Sequence, residues 1–228
     1  MFDGRFRAPI EKAVKPVGNG LRKTGLTPDH LTILGLVVGV GAAVAIGSGH
    51  LGWGLVLVIL AAVPDLLDGA LAKASDSASQ RGAFFDSVID RVTDALLFAG
   101  VAWYLATGDE PLEAMLPFGI MAVSAIISYE RAKAESLGLY AKGGLMERAE
   151  RVILLCVGLL FSALLVPILW VMLVLTAVTA IQRFVLVWKQ AAVAPVTAAR
   201  IEMRRSRRQS RRAVRAHRRT SVRRGRRS

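Results

Sequence analysis

Four carboxylates, Asp65, Asp68, Asp86 and Asp90, fall in two pairs, one spaced i, i+3 and the other i, i+4. Each spacing puts both members of a pair on one face of a helix. Two such helices facing one another would gather the four acids around one point. Hard oxygen ligands at that density suit Mg²⁺ or Mn²⁺, and divalent ions suit phosphate chemistry. The setting sharpens the reading: Asp65 follows the apolar run 51–64, and another apolar run begins soon after Asp94. Acids within or at the mouth of membrane helices are costly, so they mark function. The purely structural alternative is a set of acids neutralised by Arg81, Arg91 and Lys73.

The elements that must hold these residues are apolar and long. About 20 apolar residues cross a bilayer, and runs near that length recur at about 31–48, 51–72, 84–107, 111–131, 149–164 and 166–187. The expected fold is therefore an all-α integral membrane protein with six transmembrane helices. Lys and Arg alternate with the connections. The N-terminal segment carries Arg5, Arg7, Lys12, Lys15, Arg22 and Lys23; the second connection has Lys73 and Arg81, and the fourth has Arg131, Lys133, Lys142, Arg148 and Arg151. The connections near Gly49, Asp109 and Val166 hold none. The positive-inside rule then predicts a multi-pass protein of the cell membrane with both termini cytoplasmic and the Asp cluster on that side.

Three regions follow. Residues 1–30 form a cytoplasmic juxtamembrane segment, 31–190 the six-helix domain, and 191–228 an Arg-rich tail. In the first, Ile10, Val14, Val17 and Leu21 share a helical face with basic residues elsewhere on the wheel. An N-terminal amphipathic helix lying in the interface fits this pattern, although Pro9 and Pro16 are breakers. The first 30 residues are too polar for a signal peptide. The net charge of +13 belongs to the tail: residues 200–227 contain 14 Arg against Glu202 alone, and the rest of the chain is neutral. Low in apolar content, the tail is expected to be disordered, touching anionic headgroups or, as a general polyanion binder, nucleic acid. The single cysteine, Cys156, lies in an apolar run and has no intrachain partner.

Local signals place further candidates. Pro28 and Asp29 open the first run as helix-start residues; the same exposed backbone N–H groups could equally meet a phosphate. Gly35 and Gly39 allow close helix packing. Gly69 and Ala72 keep the end of the second run small, with Lys73 beside them either for a phosphate or snorkelling to headgroups. Arg183 stands about 9 Å inside the end of the last run at Lys189, facing a cavity or snorkelling outward.

Taken together, Asp65-x-x-Asp68-Gly69-x-x-Ala72-Lys73, eight residues, then Gly82-x-x-x-Asp86-x-x-x-Asp90 resembles the signature of the CDP-alcohol phosphotransferase family. Lys73 stands where that signature has Arg, which keeps the charge and loses the bidentate fork. The resemblance covers roughly residues 10–190. It implies six transmembrane helices around a polar cavity open to the cytoplasm, usually in a homodimer, and transfer of a phosphatidyl group from a CDP-linked lipid to an alcohol with release of CMP. It further implies that Asp65, Asp68, Asp86 and Asp90 hold two divalent ions, Mg²⁺ or Mn²⁺, with Asp90 also the general base. Gly69, Lys73 and Ser79, with Asp29, His30, Leu31 and Thr32, would hold the CDP-lipid.

The acceptor is read from the arginines. Arg131, Arg148, Arg151 and Arg183 converging beside a metal site make a phosphate clamp, so the acceptor should itself be phosphorylated. The stretches 128–135 and 143–151 are similar to the phosphatidylinositol phosphate synthase branch. That likeness implies CDP-diacylglycerol and inositol phosphate as substrates and Arg131, Arg151 and Arg183 as acceptor-phosphate residues, Arg131 standing where Lys is usual. Glycerol 3-phosphate, giving phosphatidylglycerophosphate, is the rival acceptor. A non-enzymatic transporter or membrane anchor is the alternative of another class.

Overall fold

The structure, a computed structural model, describes residues 27–74, 79–141 and 143–192, apart from the side chains of Pro28 and of residues 64–74. The expected interfacial helix before residue 27 and the basic tail after 192 lie outside the described residues. Six α-helices make up the described chain: α1 (Pro28–Gly47), α2 (Leu51–Ala74), α3 (Gln80–Ala106), α4 (Met115–Ser136), α5 (Arg148–Leu160) and α6 (Leu165–Ala191). Short 3-10 helices, Pro111–Ala114 and Ser162–Leu164, lead into α4 and α6. No strand occurs among the described residues.

Three stretches, Asp29–Gly47, Pro111–Ser136 and Ser162–Ala191, are long and apolar enough to cross a bilayer, and Leu51–Val63 is a shorter apolar helix. Carboxylates and arginines in α3 and α5 lower their apolar character, and α5 with 13 residues is only about 20 Å long at 1.5 Å per residue. The outer surfaces carry Val37, Val44, Trp53, Trp170, Val174, Ile181 and Phe184, all exposed. Apolar exposure on this scale suits contact with lipid rather than water.

Inside, α1 packs on α2 and α3, while α4 and α5 pack on α6; the two groups meet where α3 lies against α4 and α2 against α5. The core between them includes Ile46, Phe98, Val101, Ile120, Leu155, Leu169 and Met172. Close approach of α1 and α3 depends on absent side chains. A Cβ on Gly100 would stand 2.8 Å from the Cα of Ala43, and one on Gly39 would stand 2.9 Å from Thr93 Cγ2. The small-residue face read in the first run is thus a helix-packing surface.

Helix starts are sharply defined. Thr27 accepts from the His30 N–H at 3.4 Å, and the Thr27 N–H donates to His30 Nδ1 at 3.3 Å, a reciprocal cap on α1. Ser79 Oγ accepts from the Gly82 N–H at 3.0 Å and caps α3. These two starts are neighbours, since a Cβ on Gly82 would meet Asp29 Oδ1 at 3.7 Å.

Candidate active site

Asp86, Asp90 and Asp94 recur every fourth residue of α3, so they stack along one face. That face looks toward the start of α5, where Glu147 closes the first turn with Glu150 and Arg148 and Arg151 follow. Arg148 spans two acids: Nη1 lies 2.8 Å from Asp90 Oδ1 and Nε donates to Asp94 Oδ1 at 3.0 Å. Asp94 in turn accepts from Arg151 Nη2 at 2.8 Å through its other oxygen. The result is an alternating chain Asp90–Arg148–Asp94–Arg151. Arg91 lies 3.8 Å from Asp90 and gives its hydrogen bond to the Ser87 carbonyl instead, at 2.8 Å. Arg91 is therefore peripheral to Asp90: among the described residues the close cation, Arg148, comes from a distant helix.

Arg183 is 5% exposed, which rules out snorkelling to the lipid surface. Its Nη1 donates to the Ile127 carbonyl at 3.1 Å and its Nη2 to the Gly143 carbonyl at 3.0 Å, with Glu147 Oε1 at 3.6 Å. One guanidinium therefore ties α6 to α4 and to the loop before α5. Gly143 supplies that carbonyl at φ +99°, a conformation that favours glycine. The loop is pinned twice more: the Met146 N–H donates to Thr179 Oγ1 at 2.9 Å, and Gln190 exchanges hydrogen bonds with both backbone groups of Tyr140.

These residues enclose a cavity of about 290 Å³ whose wall includes Asp90, Asp94, Ser124, Ser128 and Glu147 together with Arg91, Arg131, Arg148, Arg151 and Arg183. Five guanidinium groups and three carboxylates line it. The three arginines expected to bind the acceptor phosphate and the expected general base are thus brought to one space. Arg131 sits at its rim, half-exposed and paired with Glu135 at 3.1 Å. Ser124 Oγ is buried without a hydrogen-bond partner among the described residues, as is Nε of both Arg151 and Arg183. Unmade donors beside a polar cavity are ready for a ligand, since leaving them unpaired is costly.

A second, much smaller cavity of about 20 Å³ is bounded by Leu31, Thr32, Asp86, Asp90 and Arg148 among others. Asp90 and Arg148 stand in both walls. Of the other residues expected near the CDP-lipid, Asp29 and Ser79 lie at the neighbouring helix starts, and the His30 ring serves the α1 cap. Asp65, Asp68, Gly69 and Lys73 fall in the last turns of α2, and their side chains lie outside the described residues. The α3 carboxylates supply hard oxygen donors of the kind a divalent ion takes, but among the described residues no three His, Cys, Asp or Glu side chains are placed together to hold a metal ion.

The sequence alone assigns no role to Asp94, Ser124, Ser128 or Glu147, and it does not pair Arg148 with Asp90 and Asp94. Asp94 was detectable as the next turn after Asp90. Ser124, Ser128 and Arg131 carry the i, i+4, i+7 spacing of one helical face, but nothing local says what that face meets.

A family profile described as CDP-alcohol phosphatidyltransferase matches residues 25–194. The chain belongs to the CDP-alcohol phosphatidyltransferase family. Among relatives in this family, it is 40% identical over 185 residues to a phosphatidylinositol phosphate synthase of Mycobacteroides abscessus, covering 78% of this chain and 84% of that one. A protein of the same name from Streptomyces avermitilis is 36% identical over 213 residues, 87% of each chain. The fold matches the crystal structure of Mycobacterium tuberculosis phosphatidylinositol phosphate synthase with CDP-DAG bound, at TM-score 0.73 and 32% identity, covering 78% of this chain and 94% of that one. A structure of that protein with manganese and citrate matches at TM-score 0.72 and 32% identity, covering 77% and 88%. Membership in a phosphatidyltransferase family makes this chain an enzyme and sets aside the transporter and anchor readings.

Proposed function

We propose that this chain is a phosphatidylinositol phosphate synthase, moving the phosphatidyl group of CDP-diacylglycerol to inositol phosphate and releasing CMP. The observation that carries this reading is the single cavity that joins Asp90 to five arginines. The gathering of arginines on that wall suits the anionic phosphate of a phosphomonoester. The hydroxyls of Ser124 and Ser128 on the same wall offer hydrogen bonds to a polyol, which supports inositol phosphate over the smaller glycerol 3-phosphate.

In this reading Asp65, Asp68, Asp86 and Asp90 hold two Mg²⁺ or Mn²⁺ ions. Bound there, the ions would offset charge on the diphosphate and on the departing CMP. Asp90, bordering both cavities, accepts the proton of the acceptor hydroxyl as its oxygen attacks phosphorus. Arg131, Arg151 and Arg183 orient the acceptor by its phosphate. Asp29, His30, Leu31, Thr32, Gly69, Lys73 and Ser79 hold the CDP-lipid, with His30 acting through the α1 cap. We further assign six membrane crossings to α1–α6, with both termini cytoplasmic, a homodimer, and contact of the basic tail with anionic headgroups.

Membranes containing the protein, supplied with CDP-diacylglycerol and radiolabelled acceptors, test the proposal. The expected product is phosphatidylinositol phosphate. Incorporation of glycerol 3-phosphate but not inositol phosphate would overturn the choice of acceptor, and no CMP release with either would overturn the reaction.

A further inference from the structure

Ser124 is 7% exposed and lines the large cavity, yet its Oγ has no hydrogen-bond partner among the described residues. Buried hydroxyls elsewhere in the bundle solve this problem locally. Thr93, Thr176 and Thr179 each donate to the carbonyl four residues back, at 3.0, 2.6 and 2.8 Å. Ser128, one turn along α4, spends its hydroxyl the same way, on the Ser124 carbonyl at 3.0 Å. Ser124 alone among these five residues passes up that bond. Nor does it meet the unfilled Nε of Arg151 or Arg183, although both arginines line the same cavity. Three buried polar atoms therefore share one space without satisfying one another, and each awaits a group from outside.

We propose that Ser124 is a specificity-determining residue that reads a hydroxyl of the acceptor, away from its phosphate. This rests on the reading of the cavity as the acceptor site. The arginines offer donors only, which suits a phosphate. A serine hydroxyl both donates and accepts, which is what a ligand hydroxyl needs. Position agrees with chemistry. Arg131 at the rim and Ser124 are seven residues apart on α4, about 10 Å at 1.5 Å per residue. Arg183 reaches α4 between them, at the Ile127 carbonyl. Beyond Ser124 the wall turns apolar, with Met121 on α4 and Phe98 on α3. Ser124 is thus the last polar lining residue on α4 counted from the rim, and a phosphate held at the arginines leaves it to the polyol end of the acceptor. An acceptor lacking a hydroxyl there would leave Oγ buried and unpaired, a penalty that rejects it.

Initial rates of the purified full-length protein, with CDP-diacylglycerol and a divalent metal supplied, test this. Ser124→Ala should raise the KM for inositol phosphate about fivefold, the loss of one hydrogen bond. The inhibition constant of inorganic phosphate, competing with that acceptor, should stay near wild type. Ser124→Cys fills the same space with only a weak donor and should follow Ser124→Ala; it also replaces that variant should the smaller side chain fail to fold. An unchanged KM in the folded variants, as when Oγ merely holds a water, overturns the proposal. So does a parallel rise in KM and in the phosphate inhibition constant, which would put Ser124 in the phosphate clamp. A rise with Ser124→Ala that is absent in Ser124→Cys assigns the residue to packing and overturns it as well. Wild-type protein that takes no inositol phosphate overturns instead the acceptor reading on which the proposal rests.

Discussion

Asp94 holds Arg151 at 2.8 Å across 57 positions of sequence, and both side chains are almost wholly inside the protein. An acid in the wall of an anion-binding cavity looks counterproductive until its partners are considered. It fixes two guanidinium groups in place, and removing one member of a buried pair leaves the other uncompensated.

Asp94→Asn should therefore raise the KM for the phosphorylated acceptor about tenfold while the KM for CDP-diacylglycerol stays near wild type. Stability should fall by about 3–5 kcal/mol, the usual cost of breaking one side of a buried pair. Initial rates with each substrate varied in turn, together with thermal unfolding in detergent, check both halves.

Asp90→Asn is nearly the same shape and cannot take up a proton. Turnover should drop by at least about 10²-fold, the lower range for loss of a general base, with CDP-diacylglycerol still bound. Near-normal turnover would remove Asp90 from that role.

Arg183→Lys keeps the charge and discards the planar fork that reaches Ile127 and Gly143 together. The loop 137–147 should loosen, and acceptor KM should rise severalfold. Faster backbone hydrogen exchange at residues 143–146, with helix α1 unchanged, is the accompanying sign.

Gly100→Val places a branched side chain against the backbone of Ala43. Because the obstacle is backbone, α1 and α3 must separate, and overpacking of this kind costs about 1–3 kcal/mol or more. Lower thermal stability with a parallel loss of activity is expected; unchanged melting would contradict the close helix crossing.

Chelation of divalent metal should abolish CMP release, and Mg²⁺ or Mn²⁺ should restore it. Persistence of full activity after exhaustive chelation would exclude the Asp cluster as a metal site.

What residue order alone determined was local. Apolar runs of bilayer length become helices because an unpaired backbone is too costly in lipid, and the runs match α1–α6 to within several residues. The spacing of Asp86, Asp90 and Asp94 aligns them on one face because a helix turns every 3.6 residues. The Asp65–Asp90 motif, with its fixed gaps, was enough to point to the family.

Pairing was decided only by tertiary structure. Read along the chain, Arg81, Arg91 and Lys73 were the obvious partners for the acids. Among the described residues, the close cations at Asp90 and Asp94 are Arg148 and Arg151, brought to them from α5. Arg183 could face lipid or cavity until α4 and the Gly143 loop enclosed it. Periodicity says which residues share a face but not which faces meet, because the choice of neighbour depends on packing among all six helices at once.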